Sequence, residues 1–268
     1  MSHNGHRGSA AIEGAFARAA HEGRAALITY LTAGYPTQDA THEMVAALLE
    51  GGADLIELGV PFSDPVADGP TIQRASQRAL EAGITPSGCL DLVATLRDSG
   101  VTAPIVLMGY YNPILRYGPA AYAVHCADVG VDGLIIPDLP PEEARPLADA
   151  CAQHDLALIY LVAPNSSANR LARIAAETRG FLYVVSHLGT TGGEHALQDA
   201  LVDQLAQIRH HAHTPLAVGF GVAGPEAARQ VAQVADGVIV GSAIVERAAQ
   251  GPEAVRDLVS ELRSALAR

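Results

Sequence analysis

Two carboxylic acids lie close together in this chain in very different company. Glu57 interrupts an otherwise apolar run, Leu55-Ile56-Glu57-Leu58-Gly59, which has the character of a buried strand. Burying a carboxylate is costly unless it is paired or protonated, so an acid in such a run calls for a reason. Asp68 follows eleven positions later, on a loop stiffened by Pro61, Pro65 and Pro70. One acid in an apolar setting and another in a wet one are the raw material of an acid/base pair, because the two settings push the ionisations apart. Residue types alone leave other roles open: Glu57 could hold a buried arginine, and Asp68-Gly69 could be a plain turn.

A second group of residues could bind an anion. Gly219-Phe220-Gly221-Val222 and Gly241-Ser242-Ala243 each close an apolar run. Glycines let backbone N–H groups approach an anion, and a short helix starting near Ser242 would aim its positive end at the same place. Two tight turns are the plainer alternative. Between these groups lies Ser186-His187-Leu188-Gly189-Thr190-Thr191-Gly192-Gly193-Glu194-His195, whose small residues suit a movable lid. His187 and His195 on that loop read as solvated, and His210, His211 and His213 as a surface cluster at a helix end.

The elements that must position these groups follow from periodicity. Apolar runs predict strands over 26–34, 55–59, 104–109, 133–137, 157–161, 181–185, 216–219 and 237–240. Helical spacing predicts helices over 12–22, 37–50, 70–82, 86–99, 120–129, 142–153, 168–178, 197–212, 225–234, 242–249 and 252–267. Eight continuously apolar strands alternating with helices point to a parallel sheet closed into a single (β/α)8, or TIM, barrel, with an extra N-terminal helix and a short phosphate-binding helix after strand eight. The whole chain, 1–268, reads as one catalytic domain, with disorder expected over 1–10. In such barrels the chemistry sits on the loops after the strands, and the loops after strands seven and eight recurrently bind phosphate. Tyr30 and Tyr183 lie on strands, facing either the helices or the barrel interior. The segment 110–116 after strand three reads as an unusually apolar loop.

Composition removes several classes of function. All 17 basic residues are arginine, so no lysine Schiff base can form. A net charge of −12 argues against nucleic acid and anionic membranes as partners. No run is long enough to span a bilayer, and Met1-Ser2-His3-Asn4-Gly5-His6-Arg7 lacks the apolar segment of a signal peptide, so a cytoplasmic location is expected. Cys89, Cys126 and Cys151 are scattered and lack metal spacing, and they read as small core residues. A phosphate cradle, an apolar wall and two acids suit a phosphorylated substrate with a large apolar part. Carbon–carbon cleavage without lysine or an evident metal site needs an electron sink within the substrate, and an indole protonated at C3 is one.

The run from Glu57 through Asp68-Gly69-Pro70-Thr71-Ile72-Gln73 resembles the signature of the tryptophan synthase α chain family. The resemblance spans about 26–248 and includes Gly109-Tyr110-x-Asn112-Pro113, Gly219-Phe220-Gly221 and Gly241-Ser242-Ala243-Ile244-Val245. It implies cleavage of indole-3-glycerol phosphate to indole and glyceraldehyde 3-phosphate. Glu57 is then the acid/base acting at C3, and Asp68 the acid that holds the indole N–H. The implied substrate-binding set is Tyr30, Tyr183, Gly189, Thr191, Phe220, Gly221, Gly241 and Ser242. No metal or other cofactor is implied in this chain; pyridoxal phosphate belongs to a partner β chain, in an α2β2 heterotetramer. The rim loops holding Asp64-Pro65, Asn112-Pro113-Ile114-Leu115 and Pro140-Pro141 would face that partner. The lid departs from the family pattern, with Thr190 where Val is usual and His187-Leu188 where Arg is common. A standalone lyase releasing free indole, a sugar-phosphate isomerase and a non-catalytic regulatory barrel are the competing readings. The histidine-pathway type of isomerase would need acids at the ends of strands one and five, where Leu31-Thr32-Ala33 and Leu161-Val162-Ala163 offer none.

Overall fold

The computed structural model describes residues 7–186, 194–219 and 221–268, the side chains of 194–199 excepted. The chain begins with α1 (Ser9–His21), β1 (Ala26–Thr32), α2 (Ala40–Glu50), β2 (Leu55–Gly59), α3 (Pro70–Glu81), α4 (Pro86–Asp98) and β3 (Ile105–Met108). It continues through α5 (Tyr111–Tyr117), α6 (Pro119–Asp128), β4 (Gly133–Ile135), α7 (Arg145–Gln153), β5 (Ala157–Ile159), β6 (Leu161–Val162), α8 (Ala168–Glu177) and β7 (Leu182–Val185). The last part comprises α9 (Glu194–Arg209), β8 (Leu216–Gly219), α10 (Pro225–Ala232), β9 (Gly237–Val240), α11 (Ser242–Ala248) and α12 (Pro252–Ala265).

All strand pairs are parallel, in the order β5-β4-β3-β2-β1-β9-β8-β7-β6. The two end strands of that order are consecutive in the chain, with only Tyr160 between them. β5 pairs with β4 while β6 pairs with β7, so one stave changes partners along its length and the ring closes as an eight-stave barrel. The backbone N–H of Tyr183 donating to the Tyr160 carbonyl, at 3.1 Å, spans the junction.

Side-chain alternation divides the core into two. The outer cluster, between staves and helices, takes Leu27, Leu31, Ile56, Leu58, Leu107, Leu134, Val184 and Val238. The inner one takes Ile28, Tyr30, Leu55, Val106, Met108, Ile159, Tyr183, Ala217 and Ile239. Glu57 is two residues from Leu55 and in register with Tyr30, so its side chain shares their inward phase. Being covered on both faces is what makes each strand read as a continuous apolar run.

Helix α1 plugs the N-terminal end of the barrel. Phe16 meets Phe181 with ring centroids 5.5 Å apart, and Gly180 and Gly133 leave the room that Ile12 occupies. The order imposed by this plug reaches further than the sequence suggests. Of the tail expected to be disordered, residues 7–10 are placed, because the Gly8 N–H donates to Asp132 Oδ1 at 2.8 Å and α1 starts at Ser9.

Three aspartates just before a strand fasten this floor. Asp54 accepts the Leu27 N–H, Asp132 the Ile105 N–H and Asp236 the Leu216 N–H, each 2.8–2.9 Å long. Asp132 is fully buried and also takes Arg97 Nη2 at 2.6 Å. Asp132→Ala would leave the Arg97 guanidinium buried without its counter-charge, an expected loss of about 3–5 kcal/mol. Urea unfolding measures this; a loss below about 1 kcal/mol would show that the network adds little.

Helix α5 replaces the loop expected at 110–116. Its first N–H, that of Tyr111, donates to both Asp138 carboxylate oxygens at 2.9 and 3.2 Å, so the cap comes from the loop after the neighbouring strand. His195 falls in α9, not on a loop. The three cysteines are buried as expected, and burial pushes their thiols up, so they stay neutral. No helix among the described residues is long and apolar enough to cross a membrane.

Candidate functional site

A cavity of about 250 Å³ opens at the C-terminal end of the barrel. Its floor is built from inward-phase residues of the staves: Tyr30, Glu57, Met108, Tyr183 and Ile239. Its walls come from three loops, carrying Asp68-Gly69 after β2, Gly221-Val222-Ala223 after β8, and Gly241-Ser242-Ala243 after β9. Residues from distant parts of the chain thus meet in one cavity with an acidic end and a glycine-rich end. Of the expected site residues, Tyr30, Glu57, Asp68, Tyr183, Gly221, Gly241 and Ser242 line it. Gly189, Thr191 and Phe220, like His187, lie outside the described residues.

Glu57 is 1% exposed, and among the described residues its Oε2 has no hydrogen-bond partner. Arg24 and Arg97, with side chains 6% and 8% exposed, are committed to Asp54 and Glu22 and to Asp132, so among the described residues the buried-arginine role for Glu57 falls away. Burial first, and the nearby Asp68 charge second, push the Glu57 carboxyl up to about 8. At neutral pH it is therefore an acid with a proton to give.

Asp68 sits higher on the wall and is half-buried. Burial raises it to about 6, against a lowering hydrogen bond from Tyr110. It remains largely ionised where Glu57 is largely protonated, which is the separation of roles an acid/base pair requires.

Tyr110 enters the sequence reading within Gly109-Tyr110-x-Asn112-Pro113, with no role of its own. Its hydroxyl accepts the Ala67 N–H at 3.0 Å and donates to the Asp68 carboxylate, and its ring lies 5.3 Å from that of Phe62. It pins the Asp68 loop from the neighbouring stave. The apolar character of 110–116 gave no hint of this, because the contact joins positions 43 apart.

The two cavity tyrosines are seated by glycines one stave over. A Cβ on Gly59 would fall 2.1 Å from Tyr30 Oη, and one on Gly219 would fall 2.3 Å from Tyr183 Oη. Tyr30 Oη also shares a hydrogen bond with Thr32 Oγ1 at 3.2 Å. Burial raises both phenols well above their ordinary value, so they act here as neutral hydroxyls. At the other end of the cavity Gly221 has φ +85°, a left-handed conformation that disfavours side chains. In the first turn of α11 the Ile244 and Val245 amides donate to the Gly241 carbonyl, and the Ser242 and Ala243 amides precede the first intrahelical bonds. His210, His211 and His213 are exposed between α9 and β8, at the opposite end of the barrel.

Comparison with known proteins decides between the chemistries such a cavity could host. The family profile described as tryptophan synthase alpha chain matches residues 16–267. The chain belongs to the tryptophan synthase alpha chain family. The family member of Chloroflexus aurantiacus is 49% identical over 258 residues, 94% of this chain and 97% of that protein. The one of Synechococcus elongatus is 49% identical, covering 96% and 97% respectively. Among solved structures, tryptophan synthase from M. tuberculosis superposes with TM-score 0.88 at 40% identity, covering 96% of this chain and 98% of that one. Tryptophan synthase subunit alpha from Legionella pneumophila does so with TM-score 0.88 at 38% identity, covering 95% and 97%. The isomerase and non-catalytic readings give way to this membership.

For a tryptophan synthase α chain, the two ionisations fix a pH profile. If Glu57 acts as the acid and Asp68 as the carboxylate, the productive form loses the Glu57 proton above about 8 and the Asp68 charge below about 6. kcat/KM for indole release should therefore be bell-shaped with a plateau between those limits. Asp68→Asn should remove the acidic limb of that curve; an acidic limb that survives in the variant would assign it to another group.

Proposed function

We propose that this chain cleaves indole-3-glycerol phosphate to indole and glyceraldehyde 3-phosphate, as a lyase acting by general acid/base catalysis without a cofactor of its own. The observation that carries the proposal is Glu57: a buried carboxyl, pushed up to about 8, with an oxygen unpartnered among the described residues, facing one cavity with Asp68 in a chain of this family. Glu57 gives its proton to indole C3. The positive charge that develops on the ring is met by the Asp68 carboxylate, which accepts the ring N–H. The glycerol carbon bonded to C3 then loses its hydroxyl proton, which the newly formed Glu57 carboxylate can take up. As that hydroxyl becomes an aldehyde, the C–C bonding electrons return to the indole ring. Atoms and charge balance without an external oxidant or metal.

The remaining residues bind. Tyr183 and Tyr30 flank the glycerol chain and ring, and the backbone around Gly221, Gly241 and Ser242 receives the phosphate. Gly189, Thr191 and Phe220 complete that set in the proposal. The chain is read as one catalytic domain over 1–268.

The proposed partner is a pyridoxal-phosphate β chain on the catalytic rim, in an α2β2 assembly, with both chains in the cytoplasm. In support, Val66 and Leu115 stand 82% and 56% exposed on this rim. The expected rim residues Ile114 and Pro141 are buried and would contribute nothing to the contact.

The test is a product assay on the purified chain with indole-3-glycerol phosphate, alone and with its cognate β chain. Indole and glyceraldehyde 3-phosphate should appear in equal amounts, faster when the β chain is present, and the two chains should co-sediment. Activity that is full without the β chain and shows no association would identify a standalone lyase. Failure to form either product would refute the proposed reaction.

A further inference from the structure

The acidic wall and the glycine-rich end of the cavity are joined by a side-chain bridge outside the machinery described above. Thr71, in the first turn of α3, donates its Oγ1 hydrogen to Glu246 Oε1 of α11 at 2.9 Å. Arg74 Nη2 donates to the same Thr71 Oγ1 at 3.2 Å. Helix α3 begins at Pro70, two residues after Asp68, and α11 begins at Ser242. Glu246 itself lines the cavity together with Asp68, Gly69 and Ser242. A carboxylate on the wall of a cavity proposed to receive a phosphate looks ill placed, since like charges repel. Its hydrogen bond to the helix that follows Asp68 gives it a purpose.

We propose that Thr71 and Glu246 are positioning residues that tie the Asp68 loop to the phosphate end of the cavity, and that the Glu246 charge sets how tightly that end holds an anion. The inference rests on the phosphate assignment made above. The two halves of the bridge have separable consequences. Thr71→Val removes the hydrogen bond and keeps the charge, so the Asp68 loop loses its anchor while the anion end is electrostatically unaltered. Glu246→Gln removes the charge and keeps an acceptor for Thr71, so the anion end becomes less repulsive. Exposed pairs of this kind act weakly, which bounds the expected effects to a few-fold.

The experiment measures kcat for indole release, and inhibition by inorganic phosphate, for the wild type and four variants. Thr71→Val should lower kcat about three- to fivefold and move the phosphate inhibition constant by less than about twofold. Thr71→Ser, which restores the hydroxyl, should bring kcat back to within about twofold of the wild type. Glu246→Gln should lower the phosphate constant about two- to fivefold with a smaller loss of kcat than Thr71→Val. Glu246→Ala should show both effects together. Wild-type kcat in both Thr71→Val and Glu246→Ala would overturn the bridge, as would a phosphate constant unchanged in Glu246→Gln. A wild-type protein that phosphate does not inhibit would refute the phosphate assignment and the charge effect with it, whereas the kcat comparison would still judge the tether.

Discussion

Glu57→Gln is expected to release indole at least about 100-fold more slowly than the wild type at saturating substrate while binding glycerol phosphate ligands within a few-fold of normal. The substitution is nearly isosteric and keeps the inward phase of β2, so the cavity keeps its shape. It removes the carboxylic acid proposed to protonate C3, and an amide cannot replace it. Turnover within a few-fold of the wild type would transfer the acid role to another group.

The same variant carries a signature in stability. In the folded chain Glu57 ionises at about 8, above the 4.5 of an exposed glutamate. Its neutral form is therefore accommodated at low pH, and stability declines as pH rises from about 4.5 to 8, where the folded chain must keep the proton or bury the charge. That decline is worth on the order of 1–3 kcal/mol, well below the full conversion of the shift, because the cavity opens to solvent. Glu57→Gln should lack this component, so the gap in unfolding free energy between wild type and variant should move with pH. A gap constant across that range would mean that Glu57 is not held neutral.

The second large effect is expected at the phosphate end. Ser242 is exposed at the first position of α11, so an aspartate there costs the fold little and is favoured by the helix dipole. Toward a phosphate on the same amides it is a fixed like charge. Ser242→Asp should raise KM for indole-3-glycerol phosphate at least about tenfold, with a lesser change in kcat, since the repulsion acts on bound substrate and transition state alike. Melting temperature and circular dichroism should stay those of the wild type. A KM within about twofold of the wild type would place the phosphate elsewhere.

What the sequence could and could not convey follows from the range of each interaction. Glu57 and Asp68 were legible because a carboxylate in an apolar run and a proline-rich loop are local anomalies. Strand count and barrel closure were legible for the same reason, since each apolar run is a local signal. Tyr110 was not, because its hydroxyl acts on a loop in the neighbouring β/α unit and its own surroundings look merely apolar. Helix α5 escaped notice because its cap, Asp138, is supplied 27 residues away, and seven residues carry too little periodicity to stand out. The aspartates under the barrel act on the neighbouring β/α unit in the same way, and the Thr71–Glu246 bridge spans 175 positions. The split of one predicted strand into β5 and β6 reflects a change of partners in the closed ring, which no single strand encodes.

In the proposed reaction Glu57 stands protonated at neutral pH and supplies the proton for cleavage. The most direct measurement is an infrared difference titration of the wild type against Glu57→Gln, following the carbonyl band of a protonated carboxyl. The band should be present in the wild type at neutral pH, absent from the variant, and lost with a midpoint near 8. A wild type whose Glu57 has lost its proton by pH 6, or a band that persists in Glu57→Gln, would contradict this role.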